Sequence, residues 1–461
     1  MRTSIIALAA AAAAATLAGC ANLAPDYERP AAPVAANWAQ PSAGTEAAPL
    51  LDWQRFYSDA RLSALIALAL KNNRDMRVAL LNVEQARALA RVSDADRWPT
   101  VNAGLIRTRA PNTSGEMVVT HQAGLQVSSY ELDLFGKLRN QSDAAMQSYL
   151  ASTEGARAAQ ITLVAGVASG YLTMQADEEL LQLTQRTLAT RQESQRLTKL
   201  RFDNGSASSL DLASADSALE AARATLAQAQ RQRVQDENAL VLLVGQSLPT
   251  DLPAAQPLAA QRLADVPSGI PSEVLTQRPD VLQAEAQLLA ANANIGAARA
   301  AFFPSITLTS SLGTTSSALS DLFKNTVWTY TAQALMPIFD AGRTRANLDA
   351  KKAAREIAVA TYEKSIQSAF REVADALAGR ATLTEQLRAQ DAQAAAEELR
   401  LKLTELRYTH GEASSLDLLD AQRSSFAARQ SALQTRLAQL VNSVQLYKVL
   451  GGGVGPAPSK T

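Results

Sequence analysis

Hydrophobic positions along this chain recur at two different spacings, in an order that is written out twice. Between Asp59 and Asp96, the residues Leu62, Leu65, Ile66, Ala69, Val78, Leu81 and Ala88 fall three or four apart, the period of a helix with one buried face. Trp98-Pro99 ends that pattern, because the proline ring disfavours helical backbone at the residue before it. From Thr100 to Arg109 the spacing becomes two, with Val101, Ala103 and Leu105 on one side. After the turn-rich stretch "APNTSGE" it resumes from Val118 to Tyr130, with Val119, His121, Ala123, Leu125 and Val127 on one face. Two alternating runs around such a turn predict a hairpin of strands. The same change of period recurs at Ser305 to Leu312 and Val327 to Met336. Strands of about ten residues suffice for a tilted crossing of a bilayer. Trp328 and Tyr330 suit either its interfacial belt or ordinary strand packing.

Each predicted hairpin is followed by a compact turn, "ELDLFGKLR" from Glu131 and "PIFDAGRTR" from Pro337, and then by a proline-free run, Lys137 to Asn204 and Arg343 to His410. A continuous helix of either length reaches on the order of 100 Å, more than any globular core. Near-identical phrases close the two runs, "NGSASSLDL" and "HGEASSLDL". Gly205 and Gly411 permit a left-handed exit from the long helix. Ser208 and Ser414 then suit N-caps of a return helix, with Asp211 and Asp417 three residues on as a variant capping box. The return helices, about 40 residues each, end at Gly245 and Gly451, and the opening helix of each unit is expected to be similarly long. Two such helices stacked end to end match one long one.

The two halves align residue by residue. With Arg201 placed on Arg407, the register holds without a gap to Gly245 on Gly451, and Asp75 and Pro99 fall on Asp280 and Pro304 with a shift of one. A repeat of roughly two hundred residues therefore organises the chain.

Composition narrows what such a repeat can be. Among 461 residues, lysine plus arginine and aspartate plus glutamate each number 44, which argues against a nucleic-acid binder. Hydrophobic residues make up 47%, much of it alanine, and aromatics only 5%, a composition of long, closely packed helices. No internal apolar run approaches the length of a membrane-spanning helix. The N-terminus has a positive Met1-Arg2 and an apolar run from Ile5 to Leu17, the plan of a secretory signal. The single cysteine, Cys20, ends "LAGC", which resembles the bacterial lipobox, and Ala21 rather than aspartate follows it. In signals of that kind this order implies a lipidated cysteine sorted to the outer membrane. His121 and His410 lack the neighbours of a metal site, and methionines are few and unclustered, which disfavours metal-ion efflux. No phosphate loop or nucleophile elbow is present, so no enzyme is expected, and no cofactor beyond an N-acyl, S-diacylglycerol lipid on Cys20.

Four strands cannot close a barrel, and a sheet with open edges is untenable in hydrocarbon. A chain that inserts must therefore oligomerise. Three copies give twelve strands and, with stacked pairs counted as one, twelve helical columns. The lipobox, "WQRFYSDARL", "TQRPDV", "AARAAFFPSITLT", "YELDLFGKLR" and "LRYTHGEASSLDLLDAQR" together resemble the outer membrane factor family, and most closely its lipoprotein branch serving resistance-nodulation-division efflux pumps. The resemblance covers nearly the whole mature chain. It implies a mainly α homotrimer whose twelve-stranded membrane β-barrel continues into a twelve-column periplasmic α-barrel, with a mixed equatorial domain. On that reading residues 1–19 are a signal peptide and 20–58 a lipidated extended segment. Residues 59–250 form the first repeat, with hairpin 100–130, long helix 137–204 and return helix 208–245. An equatorial linker, 251–270, leads to the second repeat at 271–452, with hairpin 305–336, long helix 343–410 and return helix 413–450. A flexible tail, 453–461, follows.

The resemblance also implies a periplasmic gate at the second tip. Asp420 would form a ring of carboxylates, with Leu416 one turn before it as an apolar constriction. Arg407, Tyr408 and Arg423 would bind carboxylates and hold the helices together, Arg423 lying within reach of Asp420 on one helix face. At the first tip Ser214 stands where Asp420 stands in the second. Gly205 and Gly411 have two readings, chain reversal and close approach of an adaptor hairpin. The implied partners are a membrane-fusion adaptor, an inner-membrane pump and outer-membrane lipid, with cargo conducted passively to the exterior. Two alternatives remain open at this point: an exit duct for type I protein secretion, and a structural or adaptor lipoprotein built on long coiled hairpins. An adaptor would need a single hairpin flanked by lipoyl-like and β-rich domains.

Overall fold

The computed structural model describes residues 22–35, 52–265 and 272–452. The signal peptide, Cys20, part of the linker and the tail lie outside the described residues. In chain order the main elements are α1 (Trp53–Phe56), α2 (Ala60–Asn72), α3 (Arg74–Ala95), β1 (Val101–Pro111), β2 (Met117–Leu132), α4 (Lys137–Asp203) and α5 (Ser209–Val244), then α6 (Pro279–Ala300), β3 (Ser305–Ser316), β4 (Thr326–Leu335), α7 (Arg343–Thr409) and α8 (Ser415–Val449). The order helix, strand, strand, long helix, return helix thus occurs twice, and both long helices have 67 residues. Two compact units are formed. One holds the described residues up to Ala32 with Leu81–Glu154 and Leu282–Ser365; the other holds Pro33–Leu80, Gly155–Val281 and the described residues from Ile366 onward.

The first unit is built on one antiparallel sheet of order β1-β2-β3-β4, so β1 and β4 are its edges. Directly paired residues share a face and successive residues alternate. The observed register therefore sorts the side chains. Val101, Ala103 and Leu105 pair with Val127, Leu125 and Ala123, and Leu125 pairs onward with Leu312 and through it with Trp328. Ile306 and Leu308 continue this apolar face towards the helices, with Ala334 and Ala332 opposite them. The other face carries Asn102, Gln126, Ser311 and Thr329 in one row, and Thr307, Thr309, Thr331 and Gln333 nearby. The sheet is mostly apolar on one side and polar on the other, with Arg107, Arg109 and His121 joining the apolar side only towards the β1–β2 turn.

Strict alternation in β2 does not run to Tyr130. The register shifts between Val127 and Tyr130, where Ser129 takes φ 55 and its N–H donates to Thr309 Oγ1 at 3.2 Å. An extra residue in a bulge reverses the parity, so Tyr130 and Leu132 join the face of Val127 instead of opposing it.

An extended segment, residues 22–30, lies along α6 in the same unit. Arg299 donates to the Leu23 carbonyl at 3.0 Å, Asn292 to that of Pro25 at 2.7 Å, and Glu285 accepts from Arg29 Nε at 2.7 Å and the Tyr27 hydroxyl at 3.1 Å. The segment thus runs antiparallel to the helix. It draws close at Gly296, where an added Cβ would sit 2.8 Å from the Ala24 nitrogen.

In the second unit the opening helix is broken where the periodicity predicts one continuous helix. Asn73 separates α2 from α3. Its Oδ1 accepts from the Met76 N–H at 2.9 Å, and its Nδ2 donates to the Leu243 carbonyl at 2.9 Å. The asparagine caps a new helix and ties it to the end of α5. The Gly245 backbone packs so closely there that an added Cβ would lie 2.5 Å from the Asn72 carbonyl oxygen. The second repeat makes the same junction with other chemistry. Arg278 donates to the Val449 carbonyl at 2.8 Å and bridges Asp280 at 2.7 Å and Glu372 at 2.9 Å. Here the opening helix is only the 22 residues of α6, preceded by a 3₁₀ turn at Ser272–Gln277. Its expected length of about 40 residues is therefore not reached in one piece.

Asp59, 2% exposed, organises the start of α2. Its Oδ1 accepts from the N–H groups of Arg61 at 2.7 Å and Leu62 at 3.1 Å, while Oδ2 accepts from the Tyr171 hydroxyl at 2.9 Å and Gln261 Nε2 at 2.6 Å. One carboxylate thus joins α2, α4 and the linker. Beside it Phe56 stacks on Tyr447 at 3.9 Å and Tyr57 meets Phe56 edge-on at 4.9 Å. Replacing Asp59 by alanine leaves buried donors unpaired and is expected to cost about 3 kcal/mol. Thermal unfolding of the detergent-solubilised variant against wild type measures that loss, and an unchanged midpoint would show that the node is dispensable.

Candidate functional site

Both tips reverse the chain in the same way. Gly205 takes φ 72 and Gly411 φ 78, and nothing lies within 4 Å of a Cβ added at either. Backbone conformation, not crowding, is what requires glycine there. Ser208 Oγ accepts from the Asp211 N–H at 3.1 Å while Asp211 Oδ2 accepts from the Ser208 N–H at 3.0 Å, and Ser414 with Asp417 repeats both bonds at the same distances. Aspartate thus closes a full capping box at both tips. Hydrogen bonds from Ser208 first, and from Ser415, hold the Asp211 carboxyl below the usual carboxylate range. The Ser415 hydroxyl donates to Asp211 Oδ1, so the first turn of α8 is joined to the first turn of α5. Neither residue type announces that pairing in sequence.

Asp420 sits one turn beyond Leu416, which is 71% exposed. The carboxylate accepts from Arg423 at 2.7 Å on its own helix and from Arg400 at 3.3 Å on α7. These two arginines, Arg423 first, hold the Asp420 carboxyl below the usual range. Spacing along one helix does not single out Arg400. It lies almost as far before Gly411 as Asp420 lies after it, which is the signal a hairpin provides for cross-arm partners.

Arg407 and Tyr408 are placed differently from the expectation. Arg407 Nη2 donates to the Glu412 carbonyl at 3.2 Å and its Nε lies 3.9 Å from the Glu412 carboxylate. It braces its own turn, because the left-handed exit at Gly411 folds Glu412 back over the last helical turn. Tyr408 offers its ring face to the Arg201 guanidinium, 4.6 Å from the centroid, so it holds a cation rather than a carboxylate. That contact does tie the two hairpins together. At the first tip Ser214 Oγ donates back to the Leu210 carbonyl at 2.7 Å, and no acid stands in the place of Asp420. Between the hairpins lies a cleft of about 480 Å³ lined by Thr184, Arg191, Ser214, Leu416, Asp420 and Phe426. Among the described residues no cluster of three or more His, Cys, Asp or Glu is arranged to hold a metal ion.

A sheet apolar on one face, two helices of 67 residues and an acidic tip form a specific combination. The family model for outer membrane efflux proteins matches residues 65–246 and again 270–452. The chain belongs to the outer membrane efflux protein family. It is 46% identical over 452 residues to the toluene efflux pump outer membrane protein TtgC of Pseudomonas putida, covering 95% of this chain and 93% of that one. To the cation efflux system protein CusC of Escherichia coli it is 43% identical over 447 residues, covering 95% and 96%. Among solved structures, the open state of the Neisseria gonorrhoeae MtrE outer membrane channel superposes with a TM-score of 0.86 at 40% identity, covering 94% of this chain and 98% of that one.

One further titratable pair lies in the first hairpin. Asp177 on α4 faces Asp236 on α5, and Asp177 Oδ2 is buried without a donor. Burial first, and then the facing Asp236, push the Asp177 carboxyl up to about 7, so a proton on Asp177 supplies the missing bond. The folded pKa lies above the unfolded value. The stabilisation is therefore complete below the ordinary aspartate range and is lost as pH rises through about 7. Wild type is expected to lose thermal stability between about pH 5 and pH 8, and Asp177→Asn to show a flatter profile. Parallel profiles in a melting series would remove the pair as the cause.

Proposed function

We propose that this protein is the outer-membrane channel of an efflux system, and that three copies build one tube. The observation carrying this reading is the sheet: two unpaired edges, one apolar face and one polar face. Hydrocarbon accepts the apolar face but not the edges, since each unsatisfied backbone group costs several kcal/mol there. Pairing β4 of one copy with β1 of the next removes every edge, and three copies close twelve strands around a polar lumen. The long helices extend the tube on the periplasmic side as twelve columns, with a mixed belt where α2, the linker and the end of α8 meet.

Cys20 would carry an N-acyl and an S-diacylglycerol chain, enough for firm anchoring where one chain is marginal. The extended segment that follows it, pinned along α6, would keep the anchor close to the wall. A membrane-fusion adaptor would meet the tips near Gly205 and Gly411, and an inner-membrane resistance-nodulation-division pump would supply the energy. The chain itself needs none, because conduction through a water-filled tube is passive. The relatives are named for toluene and for cation efflux, which fits a duct with few cargo-specific contacts. Drugs and other small molecules are the cargo class proposed.

At the tip, three Asp420 carboxylates would form a ring attracting cations and repelling anions. Planar-bilayer recordings test this directly. Purified wild type should insert as a trimer and give a nearly shut pore, whereas Asp420→Ala should conduct more and lose cation preference. Identical traces would remove the gate assignment, and a monomer in detergent would remove the channel.

A further inference from the structure

The tip also carries a buried charge that the gate reading leaves unused. Arg191, on α4, is 8% exposed. Its guanidinium bonds neutral acceptors on α8: Nη1 donates to Gln422 Oε1 at 2.6 Å and Nη2 to the Leu419 carbonyl at 3.4 Å. Gln422 is itself 5% exposed and returns its amide N–H to Ser194 Oγ on α4 at 3.2 Å. Around this clasp the buried face of α8 is made of small residues, Ala421, Ser425 and Ala428, which lets the two helices approach closely. Of the acidic residues near it, Asp420 takes Arg400 and Arg423, Glu412 takes Arg407, and Glu398 takes Arg429, while Glu405, on the wall of the same cavity, forms no ion pair with Arg191 and has its carboxyl pKa pushed up by burial. Burial alone depresses the Arg191 pKa, in keeping with a guanidinium that lacks an anion.

Such a group is costly to keep dry. An arginine buried without a carboxylate bears the desolvation penalty of an ion pair with little of its attraction. The Leu419 and Gln422 acceptors also flank Asp420, so the clasp fixes the turn from which Asp420 projects.

We propose that Arg191 is a positioning residue that aims the Asp420 turn while keeping the seam between α4 and α8 easy to part. Docked, it holds Leu419 and Gln422. Parted, its guanidinium regains water, so separation costs less than it would across an apolar seam of the same shape. The proposal deepens the gate reading of Asp420 and rests on it for its functional meaning.

A reporter thiol tests the seam independently of conduction. Ser425, 4% exposed in the seam, is replaced by cysteine, and its alkylation by a small maleimide is followed by peptide mass in reconstituted trimers. Arg191→Met removes the desolvated charge, and Gln422→Glu gives it a buried anion. Each is expected to slow alkylation about tenfold, while Arg191→Lys, which still seeks water, stays near the wild-type rate. A simple packing defect would loosen the seam and speed the reaction. Unchanged or faster alkylation in both Arg191→Met and Gln422→Glu overturns the proposal, and the glutamate variant carries the test alone if the methionine variant does not assemble. The same substitutions made in the Asp420→Ala channel should reduce its conductance. Slowed alkylation with no change in conductance would leave the seam mechanism standing and sink the gate reading instead.

Discussion

Backbone hydrogen bonding at the edges of one four-stranded sheet constrains everything else in this molecule. Side chains satisfy the bilayer through the apolar face that the register assembles, but no side chain can satisfy the free N–H and C=O groups along β1 and β4. In water that edge would be a site for aggregation; in hydrocarbon it is untenable. The remedy has to be another strand, and in the assembly proposed for this chain copies of itself supply it. On the proposed assembly the duplication has a physical sense, since each repeat would contribute one hairpin to the wall and one helical hairpin to the tube.

Much of this was legible because it rests on local rules. A period of two that changes to three and four, and a proline at the change, set the strands and long helices to within a few residues: the run expected at Lys137 to Asn204 is the helix Lys137–Asp203, and that expected at Arg343 to His410 is Arg343–Thr409. The tip turns were legible because glycine, serine and aspartate act within a few residues of themselves. What periodicity could not give was any feature decided by distant partners. The break at Asn73 depends on the Leu243 carbonyl, nearly the length of a repeat away, and the bulge at Ser129 depends on Thr309 across the sheet. The proposed gate shows the same division. Arg423 is within reach of Asp420 on one helix and is legible from spacing, whereas Arg400 and Arg191 bond across a hairpin or a seam and are not.

The two repeats keep geometry and let chemistry diverge. At the junction of opening and return helices, Asn73 in one and Arg278 in the other donate to equivalent carbonyls, those of Leu243 and Val449. The arginine adds two carboxylates, so the second junction is the more strongly tied. At the tips the order is reversed in kind: the first has the back-bonded Ser214 where the second has the ion-paired Asp420. The position of Asp420 therefore carries a charge in the second tip and none in the first.

Within the second unit the strength of the contacts changes along the helices. Asp59 and Arg278 are buried and multiply bonded, and breaking either strands charges or donors away from water, which costs several kcal/mol. Near the tips the contacts are of another kind. Asp420 with its two arginines and Arg407 with Glu412 are exposed pairs, screened by water and worth little, and Arg191 is bonded but under-compensated. Motion concentrates where contacts cost little to exchange. A long helix secured at its junction and loosely held at its end will move at the end, and the acidic ring proposed for this protein stands at that end.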